Sequence, residues 1–284
     1  MPTPKGDTTG RLAADEYGLV RIGATVWMVR PGDAGDLERS GAPLILGGQG
    51  RRASGQGRGR GVMTRLTIGG RQAIGKRALH GGLLGPLLGG VYYGHGRIEA
   101  VARAALRLRS AGVPTPDVIA AGWRPIAGPF CALALLTETV PDALSLHEGL
   151  LASLPTPGRR RALLRAAGET VRAMHDAGFR HADLNLANLV AEGGPGRPRV
   201  QVIDLDGGRF ATGIPDRAAA GNLRRLLRSW EKFIEPRVAG GLRDMVAFLR
   251  GYTADAAGRR RLAEALIRHR SRLWARRVGW RWRS

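Results

Sequence analysis

The sequence is poor in the residues that form cross-links, span membranes or balance positive charge. Cys131 is its one cysteine among 284 residues, so no intrachain disulfide can form, and this favours a reducing cytoplasm. No apolar run of roughly eighteen residues occurs, so no transmembrane helix is expected. Residues 1–7 have no apolar core, so we expect no secretory signal there.

Acidic residues are also scarce relative to basic ones. Lys and Arg number 45 against 23 Asp and Glu, which gives a formal net charge of +22. This excess predicts a polyanionic partner or surface, such as nucleic acid, an anionic membrane or a phosphorylated substrate. The sequence contains no zinc-ligand set, RNP box or recognition-helix pair, so no nucleic-acid partner is expected. The hydrophobic share of 43% is typical of a globular chain.

The most informative stretch is residues 181–188, which read His-Ala-Asp-Leu-Asn-Leu-Ala-Asn. They match H-x-D-L-x-x-x-N, the pattern of kinase catalytic loops. In that pattern the Asp accepts the proton of the attacking hydroxyl, so Asp183 is the candidate catalytic base. Asn188 is a candidate metal ligand through its amide oxygen. His181 is interpreted as a packed loop anchor. The alternative is that Asp183 and Asn188 only cap or close a loop.

A second motif follows at residues 202–206, an apolar strand that ends in Asp-Leu-Asp. Its first carboxylate, Asp204, is the other candidate metal ligand, and Asp206 is interpreted as a supporting residue. The glycine-rich turn at 192–196 predicts a hairpin that brings Asn188 and Asp204 to the same end. Hard oxygen ligands of this kind suit Mg²⁺. The alternative is that these carboxylates merely end a strand.

Glycines alternate with other residues over 55–61, just before a strand pattern at 62–68. A glycine-rich turn that enters a strand lets backbone N–H groups approach ATP phosphates, so Gly57, Gly59 and Gly61 are candidate nucleotide-binding residues. The spacing differs from the G-x-G-x-x-G of protein kinases. A flexible Arg-Gly linker is the alternative.

Lys76 stands where the V-A-I-K strand of kinases belongs, and it is the candidate lysine for the α- and β-phosphates. Glu99, near the start of a predicted helix over 97–110, is its candidate ion-pair partner. The alternatives are a surface lysine and a glutamate that complements the helix N-terminal dipole. The segment from Glu138 to Val140 is the predicted hinge, whose backbone groups would hold adenine. The order of elements alone supports this assignment.

Five segments together resemble the lipopolysaccharide kinase family, which includes kinases of 3-deoxy-D-manno-octulosonic acid (Kdo). The segments are residues 55–61, 78–83, 111–116, 181–185 and 203–209. The last has an Ile-Asp-x-Asp form in place of D-F-G. The resemblance implies a protein-kinase-like fold. It also implies phosphorylation of the Kdo 4-hydroxyl on lipid A, with ATP and Mg²⁺, at the cytoplasmic face of the bacterial inner membrane.

The predicted fold class is α+β, with two lobes as in protein kinases. We expect a flexible arm over 1–16 and an ATP-binding lobe over 17–137, with an antiparallel sheet that includes one strand over 20–30 and a single helix. A mainly helical catalytic lobe follows over 138–258, and a basic amphipathic helix and tail occupy 259–284. Trp and Arg interleave in that tail, which suits an anionic membrane surface. A docked core helix is the equal alternative.

Two other functional classes stay open alongside a lipopolysaccharide sugar kinase. One is a soluble small-molecule or protein kinase of the same fold. The other is a binding protein on a catalytically dead kinase fold, against which the intact motif set argues.

Asn185 stands where protein kinases have Lys. Arg209 is open between an acceptor contact and a surface salt bridge, and the oligomeric state is open as well.

Overall fold

The computed structural model describes residues 17–47, 63–79, 89–192, 197–211, 216–238 and 241–281, and its side-chain description omits 216–218 and 269–281. The predicted arm and the glycine-rich stretch with Gly57, Gly59 and Gly61 lie outside the described residues. Two compact units divide the chain. Unit 1 is Met1–Ala111 with Pro116–Val140, and unit 2 is Gly112–Thr115 with Pro141–Ser284.

Unit 1 is built on an antiparallel seven-stranded sheet, as the sequence predicts. The strand order is β1-β2-β6-β7-β4-β3, and β5 also pairs with β7. The bounds are β1 Gly18–Ile22, β2 Thr25–Val29, β3 Met63–Ile68, β4 Arg71–Arg77, β5 Val91–Tyr93, β6 Val118–Ala127 and β7 Phe130–Glu138.

A hairpin replaces the single strand expected over 20–30. Strands β1 and β2 pair through a tight turn in which Gly23 has a φ of +56°. The Thr25 hydroxyl donates to the Ile22 carbonyl at 2.7 Å and accepts from the Trp27 indole at 2.8 Å. The turn is built on Gly-Ala, which is a weaker signal than Asn-Gly or Asp-Gly, so the pattern reads as one strand.

Helices cover the sheet of unit 1, and two short ones accompany the predicted long helix. They are α1 Ala34–Arg39, α2 Pro43–Gly47 and α3 Gly96–Ser110. The two short helices add apolar side chains to a core that the sheet also lines. Its fully buried members include Trp27, Leu37, Leu46, Ile68, Ile119 and Leu136.

One buried carboxylate holds several elements of unit 1 together. Asp117 lies 3.0 Å from Arg30, 3.4 Å from Arg109 and 3.7 Å from Arg71. Three guanidinium groups offset the cost of taking this carboxylate out of water. The Asp117 carbonyl accepts from the Glu138 N–H at 2.8 Å, so the same residue fixes the end of β7.

Unit 2 is mainly helical, as predicted. Its helices are α4 Leu146–Ala152, α5 Pro157–Asp176, α6 Asp216–Phe233, α7 Gly241–Tyr252 and α8 Ala256–Arg281. Its short strands are β8 Leu144–Ser145, β9 Phe179–Arg180, β10 Leu189–Ala191, β11 Val200–Val202 and β12 Arg209–Phe210. Among the described helices, none combines the length and apolar character needed to cross a membrane.

Helices α5 and α7 pack unusually closely because each presents a glycine to the other. A Cβ on Gly168 would clash with the Phe248 carbonyl and the Tyr252 N–H, and a Cβ on Gly251 would clash with the Arg165 carbonyl. A buried ion pair ties the same helices, with Arg160 Nε 2.8 Å from Asp244 Oδ2. The two helices therefore form a rigid frame.

We expect Gly168→Ala to destabilise the protein by about 1–3 kcal/mol, because the added methyl forces the two helices apart. The matched control is Gly158→Ala in the same helix, where a Cβ meets nothing within 4 Å. That change should be neutral or stabilising by up to about 1 kcal/mol. Urea unfolding of both variants checks the prediction, and equal effects would contradict it.

Candidate active site

His181 begins the loop that carries the candidate base, and only 1% of the residue is exposed. Its Nε2–H donates to the Ile203 carbonyl at 3.0 Å, and its Nδ1 accepts from the Asp183 N–H at 3.1 Å. Because both nitrogens are used in this way, the ring is neutral and protonated on Nε2. Burial is the main cause that lowers the pKa of His181, in agreement with that state. The residue is a loop anchor.

Asp183 lies just beyond this anchor with 73% of its side chain exposed. One oxygen, Oδ2, accepts from Asn185 Nδ2 at 3.1 Å. The other, Oδ1, lies 3.9 Å from a guanidinium nitrogen of Arg225, and that guanidinium also donates to the Ala182 carbonyl. An accessible carboxylate held in this way is able to accept a proton from a hydroxyl that reaches it.

Asn185 organises the loop, a role that sequence reasoning missed. Its Oδ1 accepts from the N–H groups of Ala187 at 2.8 Å and Asn188 at 3.2 Å, which caps the 3₁₀ turn Leu186–Asn188. Its Nδ2 donates to both the carboxylate and the carbonyl of Asp183. Asn is among the strongest N-cap residues, so an Asn before a short turn was the available signal.

Asn188 is held with its amide nitrogen turned toward the loop. Nδ2 donates to the Asp183 carbonyl at 2.8 Å, which leaves the amide oxygen as the atom suited to a metal ion. The Asn188 carbonyl accepts from the Ile203 N–H at 3.0 Å. The predicted hairpin is present as β10 and β11. It places Asn188 and Asp204 at the same end of the hairpin.

Asp204 follows β11 with a φ of +59°, which is uncommon for a residue other than glycine. Such a conformation costs free energy and persists only where the surroundings hold it. The turn after it closes with a hydrogen bond from the Gly208 N–H to the Leu205 carbonyl at 3.1 Å. Backbone of this kind clusters at functional sites, and here it presents an exposed carboxylate beside the catalytic loop.

The two side chains fit a hard divalent cation such as Mg²⁺. Asn188 offers an amide oxygen and Asp204 a carboxylate, and Mg²⁺ prefers oxygen ligands of both kinds. Within the described ranges, no group of three or more His, Cys, Asp and Glu side chains is arranged to hold a metal ion. Mg²⁺ usually takes one or two protein carboxylates and completes its shell with phosphate and water, so a small donor set agrees with this assignment.

In unit 1, Lys76 lies on β4 opposite Leu135 of β7. Ala73 and Gly75 of the same strand are buried, and Lys76 is exposed on the other face. A strand lysine in this position is presented by rigid backbone pairing on both sides of β4, to β3 and to β7. Its role toward phosphates stays a prediction.

Glu99 lies in the first turn of α3 and pairs with two residues that are each four positions away in the chain. Its carboxylate accepts from His95 Nδ1 at 2.8 Å and lies 3.3 Å from Arg103. A carboxylate in a first turn also interacts favourably with the helix dipole. These contacts agree with the structural alternative given for Glu99, and its pairing with Lys76 stays a prediction.

The predicted hinge lies at the end of unit 1. Two of its backbone N–H groups already donate to other residues of that unit. The Glu138 N–H donates to the Asp117 carbonyl and the Thr139 N–H to the Gln72 carbonyl, both at 2.8 Å. Val140 is the last residue of the unit. In the part of the chain that the structure describes, no residue accepts from the Val140 N–H, so this group is the remaining donor of the segment.

Unit 1 has an antiparallel sheet with a lysine on one strand. Unit 2 is helical and carries H-x-D-L-x-x-x-N beside an Asp that follows a strand. Together these features define a phosphotransferase of the protein-kinase-like class. The model of the Lipopolysaccharide kinase (Kdo/WaaP) family matches residues 87–252. The chain belongs to this family. It is therefore a phosphotransferase that acts on a sugar hydroxyl of lipopolysaccharide and uses a nucleotide donor.

Similar proteins agree with this assignment. The 3-deoxy-D-manno-octulosonic acid kinase of Vibrio cholerae serotype O1 is 33% identical over 182 residues, which are 63% of this chain and 73% of the relative. The kinase of the same name from Vibrio parahaemolyticus is 31% identical over 64% of this chain and 74% of the relative.

The solved structure of WaaP in complex with acyl carrier protein matches 87% of this chain and 98% of its own, with a TM-score of 0.54. The two sequences are 22% identical over this match, so the comparison bears on the fold. It confirms the α+β, protein-kinase-like fold predicted from the sequence.

Asn185→Asp should lower phosphoryl transfer by about tenfold or more, because it removes the donors to Asp183 and adds a negative charge beside it. The new carboxylate still accepts from the two N–H groups of the turn, so the unfolding temperature should change little. Asn185→Ala is the comparison, since it also removes the cap and should cost about 1 kcal/mol. Wild-type turnover in Asn185→Asp would contradict this account of the loop.

Proposed function

We propose that this chain transfers the γ-phosphate of ATP to the 4-hydroxyl of Kdo on Kdo-lipid A, with Asp183 as the catalytic base. The observation that supports this most strongly is the bonding of the catalytic loop to the residue before Asp204. The His181 ring and the Asn188 carbonyl both contact Ile203, so the candidate base and the candidate metal ligands belong to one hydrogen-bonded assembly.

In this proposal Asp183 orients the sugar hydroxyl and accepts its proton on Oδ1. Oδ2 is already engaged by the Asn185 amide, and this contact holds the carboxylate plane in one orientation. A fixed carboxylate spends no reorganisation energy when the hydroxyl arrives, which is how positioning contributes to phosphoryl transfer.

Asn188 and Asp204 would hold Mg²⁺, which would neutralise charge on the phosphates of the bound nucleotide. Lys76 is proposed to contact the α- and β-phosphates, and the backbone at Gly57, Gly59 and Gly61 is proposed to cover them. Glu99 is proposed to exchange its present partners for Lys76 when nucleotide binds. For adenine, the proposed contacts are the backbone groups of Glu138 and Val140.

The proposed location is the inner face of the bacterial inner membrane, where the acceptor would be reached from the cytoplasm. The net charge of +22 supports contact with an anionic lipid surface. Much of the basic C-terminal segment lies in helix α8, which ends at Arg281. Peripheral attachment through this segment is the proposal, and a docked helix is its alternative.

The test of this function is transfer of labelled phosphate from ATP to purified Kdo-lipid A. We expect label in the lipid with the wild-type chain and a loss of at least about a hundredfold with Asp183→Asn, because the general base is removed. Asp36→Asn is the matched control, since Asp36 is a partly exposed carboxylate that pairs with Arg39 on α1 of unit 1.

Equal transfer by wild type and Asp183→Asn would contradict the role of the base. A second outcome is nucleotide hydrolysis that depends on Asp183 with no label in Kdo-lipid A. It would support the kinase chemistry and contradict Kdo-lipid A as the acceptor. The two outcomes therefore separate the mechanism from the substrate.

We further infer that acyl carrier protein is a partner of this chain. The similar WaaP structure is a complex with acyl carrier protein, and this likeness supports the proposal. The apolar cavity among the helices of unit 2 has a volume of about 60 Å³. This volume is well below the roughly 300–1,000 Å³ of pockets that hold small ligands, so the proposal concerns the carrier protein itself.

Acyl carrier protein should raise the unfolding temperature of this chain, because a partner that binds only the native state stabilises it. The increase should grow with the concentration of the carrier. An unfolding temperature that stays unchanged at high carrier concentration would refute this interaction.

A further inference from the structure

A continuous set of hydrogen bonds runs through the interior of unit 2 to the backbone of the catalytic loop. The Tyr252 hydroxyl lies 2.8 Å from His175 Nδ1, and His175 Nε2 lies 3.1 Å from Asn222 Oδ1. Asn222 Nδ2 then donates to the His181 carbonyl at 2.7 Å. All four residues are buried. They come from α7, α5, α6 and the loop, so the set connects three helices to one loop residue.

The direction of every hydrogen bond in this set follows from one contact. Because Asn222 Nδ2 donates to a carbonyl, its Oδ1 must be the acceptor for both of its other neighbours. Those neighbours are the His181 N–H at 3.2 Å and His175 Nε2. His175 must therefore carry its proton on Nε2, and its Nδ1 accepts from the Tyr252 hydroxyl. Burial lowers the pKa of His175, which agrees with a neutral ring.

The opposite tautomer of His175 would break this arrangement. The lone pair of Nε2 would then face Asn222 Oδ1, and relief would require the amide to flip. A flipped amide places its oxygen against the His181 carbonyl and leaves the His181 N–H without its acceptor. Each buried group left unpaired costs about 1–3 kcal/mol. The Nε2–H tautomer avoids this cost, and the Tyr252 hydroxyl supplies the donor for its Nδ1.

The charged side chains of Arg172 and Asp176 act on His175. The Arg172 guanidinium lies over the Tyr252 ring, 5.7 Å from its centre, and it is paired with Asp176 at 2.8 Å. In the described part of unit 2, the hydrogen bonds of His175 and Asn222 involve no other charged side chain. The orientation of Asn222 therefore depends on His175 and on the loop backbone itself.

We propose that His175, in its Nε2–H tautomer, is a positioning residue for phosphoryl transfer. It orients the Asn222 amide, which clamps the N–H and the carbonyl of His181, and the His181 ring in turn contacts the Asp183 N–H. This inference rests on the proposed role of Asp183 as the base. His175 acts through other residues and does not contact the reacting atoms.

The test compares His175→Leu with His175→Gln, because the Gln amide nitrogen occupies a position close to Nε2 and retains a donor. His175→Leu should lower kcat by about tenfold or more, since small displacements of a catalytic group are costly. Its KM for ATP should change little. His175→Gln should recover most of the lost kcat. Ser153→Ala is the control for general destabilisation, because it removes another buried hydrogen bond of unit 2, from the Ser153 hydroxyl to the Leu150 carbonyl.

Nitrogen-15 NMR gives a readout that does not require turnover. Wild-type His175 should show a protonated Nε2 and an acceptor Nδ1, and Tyr252→Phe should keep the proton on Nε2, because Asn222 Oδ1 still accepts from it. The backbone amide of Asp183 should shift in His175→Leu and not in Ser153→Ala. If no acceptor is phosphorylated, the proposed function fails, and these spectra still decide the positioning role.

Two results would overturn the proposal. One is a His175 ring protonated on Nδ1 in the wild type. The other is a loss of kcat that is equal in His175→Leu and His175→Gln and that follows the fall in unfolding temperature, as in Ser153→Ala.

Discussion

The imidazole of His181 is the contact on which the chemistry of unit 2 depends. One ring nitrogen donates to Ile203, the residue before Asp204, and the other accepts from the Asp183 N–H. A single buried side chain therefore sets the spacing between the candidate base and a candidate metal ligand. A neutral ring is required for both bonds, and burial supplies the condition that keeps it neutral. These two contacts give His181 a structural role at the start of the loop.

The surroundings of this contact explain why it stays in place. Helices α5 and α7 meet at Gly168 and Gly251 and are tied by the buried pair of Arg160 and Asp244. This frame also supplies His175, which contacts Asn222, and Tyr252, which contacts His175. Close packing of helices resists small shifts, so a loop clamped to such a frame keeps its geometry when substrates are absent. The exposed side chains of Asp183 and Asp204 are thus held by buried polar contacts beneath them.

Local motifs predicted the class of enzyme and one hairpin of unit 2, because their signals lie within a few residues. The spacing from Asp183 to Asn188, and the strand that ends in Asp204, indicated a phosphotransferase before any contact was known. The glycine-rich turn likewise predicted the hairpin of β10 and β11, because turn chemistry and alternating strands are encoded over a few residues. The class of fold followed from the order of the kinase motifs and from the family resemblance.

Contacts between distant residues could not be predicted in the same way. Asn222 lies 41 residues from His181, and no spacing rule connects an Asn within a helix to a loop backbone. The arginines around Asp117 come from separate elements of unit 1. In the sequence they only add to the net positive charge, and nothing in it predicts that they contact Asp117. The hairpin at Gly23 was read as one strand because its turn lacks a strong signal. Tertiary hydrogen bonds and ion pairs supply this information, and sequence patterns hold little of it.

The measurement that tests the central claim most directly is calorimetric binding of a non-hydrolysable ATP analogue, with and without Mg²⁺, to the wild type, Asp204→Asn and Asp183→Asn. The account predicts that affinity depends on Mg²⁺ in the wild type and in Asp183→Asn. In Asp204→Asn the increase in affinity that Mg²⁺ produces should fall by about tenfold or more, since a metal-binding carboxylate is lost. Binding that is indifferent to Mg²⁺, or an equal loss in both variants, would contradict the separation of base and metal ligand described for this site.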